Sequence, residues 1–128
     1  MNKWAGMALS AYLFSGCVVV DHHGVGDASL TVEWTIARTT DPEECDASDV
    51  RYAYVMVESR SGIVDEFDTP CSDFGTTVDL DPGTYWVTVV LRDRGDHDRT
   101  TAVESDRVTL YGHDDQTVHI DFPDDSFL

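Results

Sequence analysis

Asp81-Pro82-Gly83-Thr84-Tyr85-Trp86-Val87-Thr88-Val89-Val90-Leu91 is the stretch that decides the fold. Proline fixes φ and glycine accepts positive φ, so Asp81 to Gly83 reads as a type II turn. Beyond the turn, Tyr85, Val87, Val89 and Leu91 fall on one face and Trp86, Thr88 and Val90 on the other. That is the period of a strand, in the β-branched and aromatic residues that suit a pleated surface. The same alternation recurs to either side. Leu30, Val32, Trp34 and Ile36 alternate with Thr31, Glu33 and Thr35. Val50 to Val57 sets Tyr52, Tyr54 and Met56 against Ala53, Val55 and Val57, which predicts a central strand covered on both faces. Ser61-Gly62 reads as a hairpin turn into Ile63 to Phe67, and Thr76 to Leu80 follows. Ala102-Val103 and Val108 to Leu110 read as one strand interrupted by Glu104-Ser105-Asp106, and Val118, Ile120 and Phe122 close the set. About seven short strands with no long helical period predict an all-β fold, a single antiparallel β-sandwich over residues 29–122, with a small barrel as the main competitor. The tail, Pro123 to Leu128, carries no signal for a partner.

The turn and strand entry, Pro82-Gly83-Thr84-Tyr85 followed by Val87 and Val89, resembles the "PGTY.V.V" entry of transthyretin-like and carboxypeptidase-regulatory-like sandwich domains. The resemblance spans roughly a tenth of the chain, a turn plus a strand, and implies an immunoglobulin-like or transthyretin-like sandwich. Related surface domains can carry a Lys–Asn isopeptide crosslink. Lys3 and Asn2 are the only residues of those types here, so beyond the first residues that feature has no counterpart.

Composition narrows the function classes. The chain has 128 residues and a formal charge of −17, from 8 Lys+Arg against 25 Asp+Glu. A field of that sign repels phosphate backbones and excludes unaided nucleic-acid binding. With 41% hydrophobic and 10% aromatic residues it has the apolar surface that acidic disordered tails lack. Removal of the first residues takes away Lys3 and leaves the arginines, which excludes a Schiff-base lysine or a phosphate-loop lysine.

Those first residues read as an address. Met1 to Cys17 has one positive charge at Lys3, an apolar run from Trp4 to Phe14 and small residues before a cysteine, the layout of an export signal. Leu13-Phe14-Ser15-Gly16-Cys17 resembles the lipobox of bacterial lipoproteins, with Phe14 where that family usually has Leu. The resemblance implies cleavage of residues 1–16, diacylglycerol and palmitate-type acyl chains on Cys17, and a lipidated tether over residues 17–28. Two or more acyl chains hold a domain on a membrane without a spanning helix. Val18, rather than Asp, after the cysteine favours the outer membrane by resemblance to enteric lipoproteins. Two rivals are an uncleaved anchor over Trp4 to Val20, which reaches the lower length limit for spanning, and a buried helix of a cytosolic protein, which the flanks oppose.

Lipidation of Cys17 leaves Cys45 and Cys71, and an oxidising compartment favours joining them as a disulfide. A metal pair or catalytic thiol has no CxxC spacing to support it. No GxSxG, HExxH, GxxxxGK[ST] or CxxC string occurs in the chain, so the reading is non-enzymatic. His22, His23, His97, His113 and His119 read as solvated surface residues. Asp93, Asp96 and Asp98 share one loop and Asp114-Asp115 another; brought to one edge of the sandwich they would offer calcium its preferred carboxylate oxygens. Arg94-Gly95-Asp96 spells an integrin-recognition tripeptide, but reads as a turn with glycine at its tip. Trp86, Tyr52 and Tyr54 would form a sugar-stacking platform only if they faced outward together, and core packing is the favoured reading. The function expected is a membrane-anchored envelope lipoprotein that acts as a structural or protein-interaction module through sheet edges and loops. A calcium- or carbohydrate-binding domain is the alternative.

Overall fold

The structure is a computed structural model and describes residues 27–128. The signal, Cys17 and most of the tether lie outside the described residues. The elements run β1 (Ala28–Ile36), α1 (Pro42–Ala47), β2 (Tyr52–Ser59), β3 (Gly62–Pro70), β4 (Gly75–Leu80), β5 (Gly83–Arg92), β6 (Val103–Glu104), β7 (Val108–Leu110) and β8 (Asp115–Phe122), with 3₁₀ turns at Cys71–Asp73 and Asp124–Ser126. Sheet I has the order β4-β1-β8, and sheet II the order β3-β2-β5-β6, with β7 also paired to β5. The fold is therefore an all-β sandwich. Every pairing is antiparallel except β1 with β8, which run parallel from Ser29↔Asp115 to Ile36↔Phe122. A parallel neighbour needs a crossover rather than a tight turn; here the whole of sheet II intervenes between the two strands.

The alternation seen in sequence selects the inner faces. Leu30, Val32, Trp34 and Ile36 of β1 meet Val55 and Val57 of β2, Val87, Val89 and Leu91 of β5, and Phe122 of β8, none more than 1% exposed. Each such burial stabilises by roughly 1.5–3 kcal/mol. The Trp34 indole N–H would be costly to bury unpaired; it donates to the Cys71 carbonyl at 3.1 Å.

Several local readings are corrected. Gly83 is not in the left-handed region: among the described glycines only Gly62 has positive φ, at 118°, and Gly83 opens β5 opposite Leu110. A Cβ on Gly83 would stand 3.3 Å from the Tyr85 hydroxyl and 3.4 Å from its ring. Glycine thus serves close approach, and the Tyr85 hydroxyl closes the turn on the Asp81 carbonyl at 2.6 Å. The interrupted strand is two short ones, β6 and β7, both on β5. Ser105 bridges the gap, its hydroxyl accepting from Val87 N–H at 2.9 Å. The tail does find a partner. Phe127 bridges to Thr100, the Ser126 carbonyl accepts from Thr101 N–H at 2.9 Å and Leu128 N–H donates to Arg99 at 3.0 Å.

The α1 helix follows a local signal shorter than any period. The Asp41 carboxylate accepts from Glu43 N–H at 3.0 Å, Pro42 takes the first turn, and Glu43 and Glu44 lie at the positive end of the dipole. Cys45, on its buried side, is joined to Cys71 with a Cα–Cα distance of 6.1 Å, within the usual range for a disulfide. The bridge ties α1 to the link between β3 and β4.

Candidate functional face

Residues paired across strands share a face, so the registers of β2, β3 and β5 assemble the outer surface of sheet II. Tyr52 stands between Pro70 and Arg92, Tyr54 between Asp68 and Val90, Met56 between Glu66 and Thr88, and Glu58 between Ile63 and Trp86. Glu104 of β6 extends the Thr88 row. Tyr52, Tyr54 and Trp86 therefore all face outward, correcting the expectation of core packing. They are half-buried, because their own neighbours cover them. Nor is β2 sandwiched on both sides, since no second layer covers this face among the described residues.

Two guanidinium groups lie on the rings. Arg92 is 4.2 Å from the centroid of Tyr54, and Arg107 is 4.2 Å from that of Trp86. Such contacts are worth about 0.5–1 kcal/mol when exposed. Arg92 is held from its other side by Asp98 at 2.9 Å. The Tyr54 hydroxyl donates to Glu66, and this hydrogen bond, with partial desolvation, raises the phenol above its ordinary value because ionisation would set two negative charges together. Thr88 donates to Glu58 at 2.9 Å. Ile63, at 53% exposure, is among the most open large apolar side chains described.

The outer face of sheet I is of another kind. Thr31 is in register with Thr77 and Thr117, Ser29 with Asp79 and Asp115, and Glu33 with Gly75 and His119. Among the described residues, its strands present on this face hydroxyls, carboxylates and an imidazole, and no Phe, Tyr, Trp or Arg side chain. His119 Nδ1 lies 3.4 Å from Glu33, with the imidazole 73% exposed. A cleft of about 520 Å³ opens beside them, lined also by Thr35, Thr40, Ser72 and Asp73 and floored by the buried Trp34 and Phe74.

The aspartates expected at one edge lie at opposite ends. Asp93, Asp96 and Asp98 follow the last residue of β5, whereas Asp114 and Asp115 follow β7, whose Leu110 pairs with Gly83, the first residue of β5. At about 3.3 Å per residue, the length of β5 separates them by roughly 30 Å. Among the described residues no three His, Cys, Asp or Glu side chains converge as metal ligands. Asp93 and Asp114 instead serve their own turns, while Asp98 pairs with Arg92 and Asp115 with β1. The Asp93 carboxylate accepts from Gly95 N–H at 2.8 Å and His97 N–H at 3.0 Å, with His97 Nδ1 at 3.3 Å. These backbone bonds, first that from His97, hold its carboxyl below the ordinary range against a smaller opposing desolvation. Asp96 takes the left-handed conformation, as does His113. Asp114 accepts from Tyr111 N–H at 2.8 Å, and Asp115 from the Ser29 hydroxyl. Arg94-Gly95-Asp96 is the exposed tip of the Asp93 turn, and His22 and His23 lie outside the described residues.

Sequence reasoning missed Arg92, Arg107, Glu58 and Glu66 as members of one surface. Their neighbours are set by strand register across long separations, and only the alternation of Tyr52, Tyr54 and Met56 opposite Ala53, Val55 and Val57 marked the face as a face.

No protein family and no curated protein matches the sequence. Among solved structures, the chain is similar to a Bacteroides thetaiotaomicron protein of the DUF1812 group, described as one of the "putative polysaccharide binding proteins", with 13% identity and a TM-score of 0.43 over 72% of this chain. The match spans 46% of that protein's length.

Proposed function

We propose that this chain is a non-catalytic interaction module, held on the cell envelope by lipid at Cys17, that binds a protein partner through the outer face of sheet II. One observation carries the reading: the two outer faces differ in kind. Tyr, Trp, Met and Arg, the residues enriched at protein interfaces, are gathered on sheet II with apolar Ile63 and Val90 among them. Sheet I presents the hydroxyls and acids of an ordinary solvated surface.

Side chains rather than a sheet edge would make the contact. The free edge of sheet II is β3, where Val64 forms a bulge opposite the Val57/Glu58 step, Asp65 is half-buried in register with Val57, and Pro70 ends the strand. Bulges, inward charges and proline discourage strand addition. A sugar-binding use of the same face is the second reading. It is disfavoured because guanidinium groups already lie on Tyr54 and Trp86, and stacking would have to displace them. The calcium reading has lost the shared edge that motivated it.

The anchor and the partition into a signal over 1–16, a tether over 17–28, a domain over 29–122 and a tail over 123–128, with outer-membrane placement, rest on the sequence. Intact mass of the membrane-extracted protein tests the first: a chain starting at Cys17 with acyl chains is expected, and one retaining Met1 refutes it. Photocrosslinking in native cells tests the interface, with a benzophenone amino acid at Met56 on sheet II and at Thr31 on sheet I. A discrete adduct from Met56 and none from Thr31 is expected; equal capture or none removes the assignment of this face.

A further inference from the structure

We infer that the partner seated on the outer face of sheet II is a cationic protein surface, one that presents lysine and arginine side chains. The inference rests on the proposed use of that face and names the chemistry of its occupant. The aromatic and apolar centre, Tyr52, Tyr54, Met56 and Trp86, is bordered by carboxylates on both sides. Glu66 and Asp68 flank it on β3, Glu58 stands within it, and Glu104 closes the far side on β6. The positive charges on the face are already engaged, Arg92 by Tyr54 and Asp98 and Arg107 by Trp86. Glu58 and Glu66 each spend one oxygen on a hydroxyl of the same face, and the other oxygen of each accepts no side-chain hydrogen bond among the described residues. Asp68 and Glu104 accept no side-chain hydrogen bond among the described residues.

A surface so composed offers desolvated area at its centre and anionic acceptors at its margin. A complementary partner brings cations to the margin, where they meet carboxylates, and lays their aliphatic stems on Tyr52 and Met56, which carry no guanidinium group of their own among the described residues. The whole chain, at −17, adds a field that draws cationic surfaces in and repels both acidic partners and a second copy of itself.

The test is an NMR titration of the full chain in detergent micelles with three peptides of equal length, built from Lys/Tyr/Ser, Glu/Tyr/Ser and Gly/Tyr/Ser. The lysine peptide is expected to shift the Trp86 indole N–H and the Met56 methyl. Its Kd should weaken about threefold to tenfold in E66Q/D68N, as loss of exposed charge pairs implies, and stay unchanged in D124N/D125N. Both double variants change exposed side chains, and matching melting temperatures confirm that each is folded. Shifts spread over all the acidic loops, or an unchanged Kd in E66Q/D68N, overturn the inference. If the neutral peptide moves Trp86 and Met56 as strongly, the face remains a binding face and only the cationic partner falls. If no peptide moves them and the benzophenone at Met56 captures nothing, the face itself is wrongly assigned.

Discussion

Replacing Cys45 and Cys71 together by alanine should cost this domain about 3.5 kcal/mol, from the chain-entropy relation applied to a loop with a sequence separation of 26. Net stabilities of such domains are about 5–15 kcal/mol, so the change is a large fraction of the whole. At about 4 °C per kcal/mol for a domain near a hundred residues, the midpoint should fall by about 15 °C. Alanine is preferred to serine because the cysteines are 4% and 1% exposed, and a hydroxyl in that place would be left without a partner. The loss should not be uniform. Cys71 stays placed through its N–H to Arg51 and its carbonyl to Trp34, whereas α1 loses its covalent tie and keeps its cap. Amide exchange should therefore accelerate first at Ser48 and Val50, whose N–H groups donate to Glu44 and Cys45. Thermal unfolding followed by circular dichroism, with exchange measured on the same variant, checks both parts. A midpoint lowered by less than about 3 °C would refute the reasoning, since the constraint on the unfolded chain would then contribute almost nothing.

Other perturbations follow from single contacts. Tyr85→Phe removes the hydroxyl that closes the Asp81 turn and should cost about 0.5–1.5 kcal/mol in urea unfolding; no change would mean that packing alone holds the turn. Leu91→Ala, at a fully buried site between the sheets, should cost about 2–5 kcal/mol, checked by the shift in denaturation midpoint. Asp93 has its carboxyl depressed by the His97 and Gly95 amides, so its contribution is complete above the unfolded value near 3.8 and vanishes as pH falls through the lower folded value. Protection of those two amides, their exchange relative to the unfolded-chain rate at the same pH, should fall on acidification below about pH 4 and be low at every pH in D93A; protection that does not change with pH in the unaltered protein would contradict this. Truncation after Phe122 strands the N–H of Thr101, now bonded to Ser126, and should lower the melting temperature, whereas an unchanged value would mark the tail as dispensable.

The periodicity of Tyr85 to Leu91 and Leu30 to Ile36 was enough to read the two inner faces, because burial on one side of a strand is written directly as alternation. What alternation cannot carry is who stands beside whom. The parallel pairing of β1 with β8, the split of β6 from β7 and the docking of the tail are long-range choices made by packing. The aspartate loops illustrate the limit. Asp93 to Asp98 and Asp114-Asp115 lie near each other along the chain, yet β5 holds them a strand's length apart. The aromatic side chains show the converse: Tyr52 and Tyr54 were visible as one face of a strand, but only the register with Arg92, Trp86 and Glu66 made that face a surface with a chemistry of its own. At Gly83 the sequence predicts glycine for a positive φ, whereas its value in the folded chain is the room it leaves for the Tyr85 ring.

The most direct measurement is hydrogen exchange of the protein in native cell envelopes, where the proposed lipid at Cys17 would hold it, compared with the same protein after extraction and purification. If sheet II's outer face is occupied in place, exchange in the membrane sample should be slower along β3, Gly62–Pro70, and its neighbour β2, with β1 and β8 of sheet I unchanged. Equal exchange in the two samples, or protection confined to sheet I, would contradict the account.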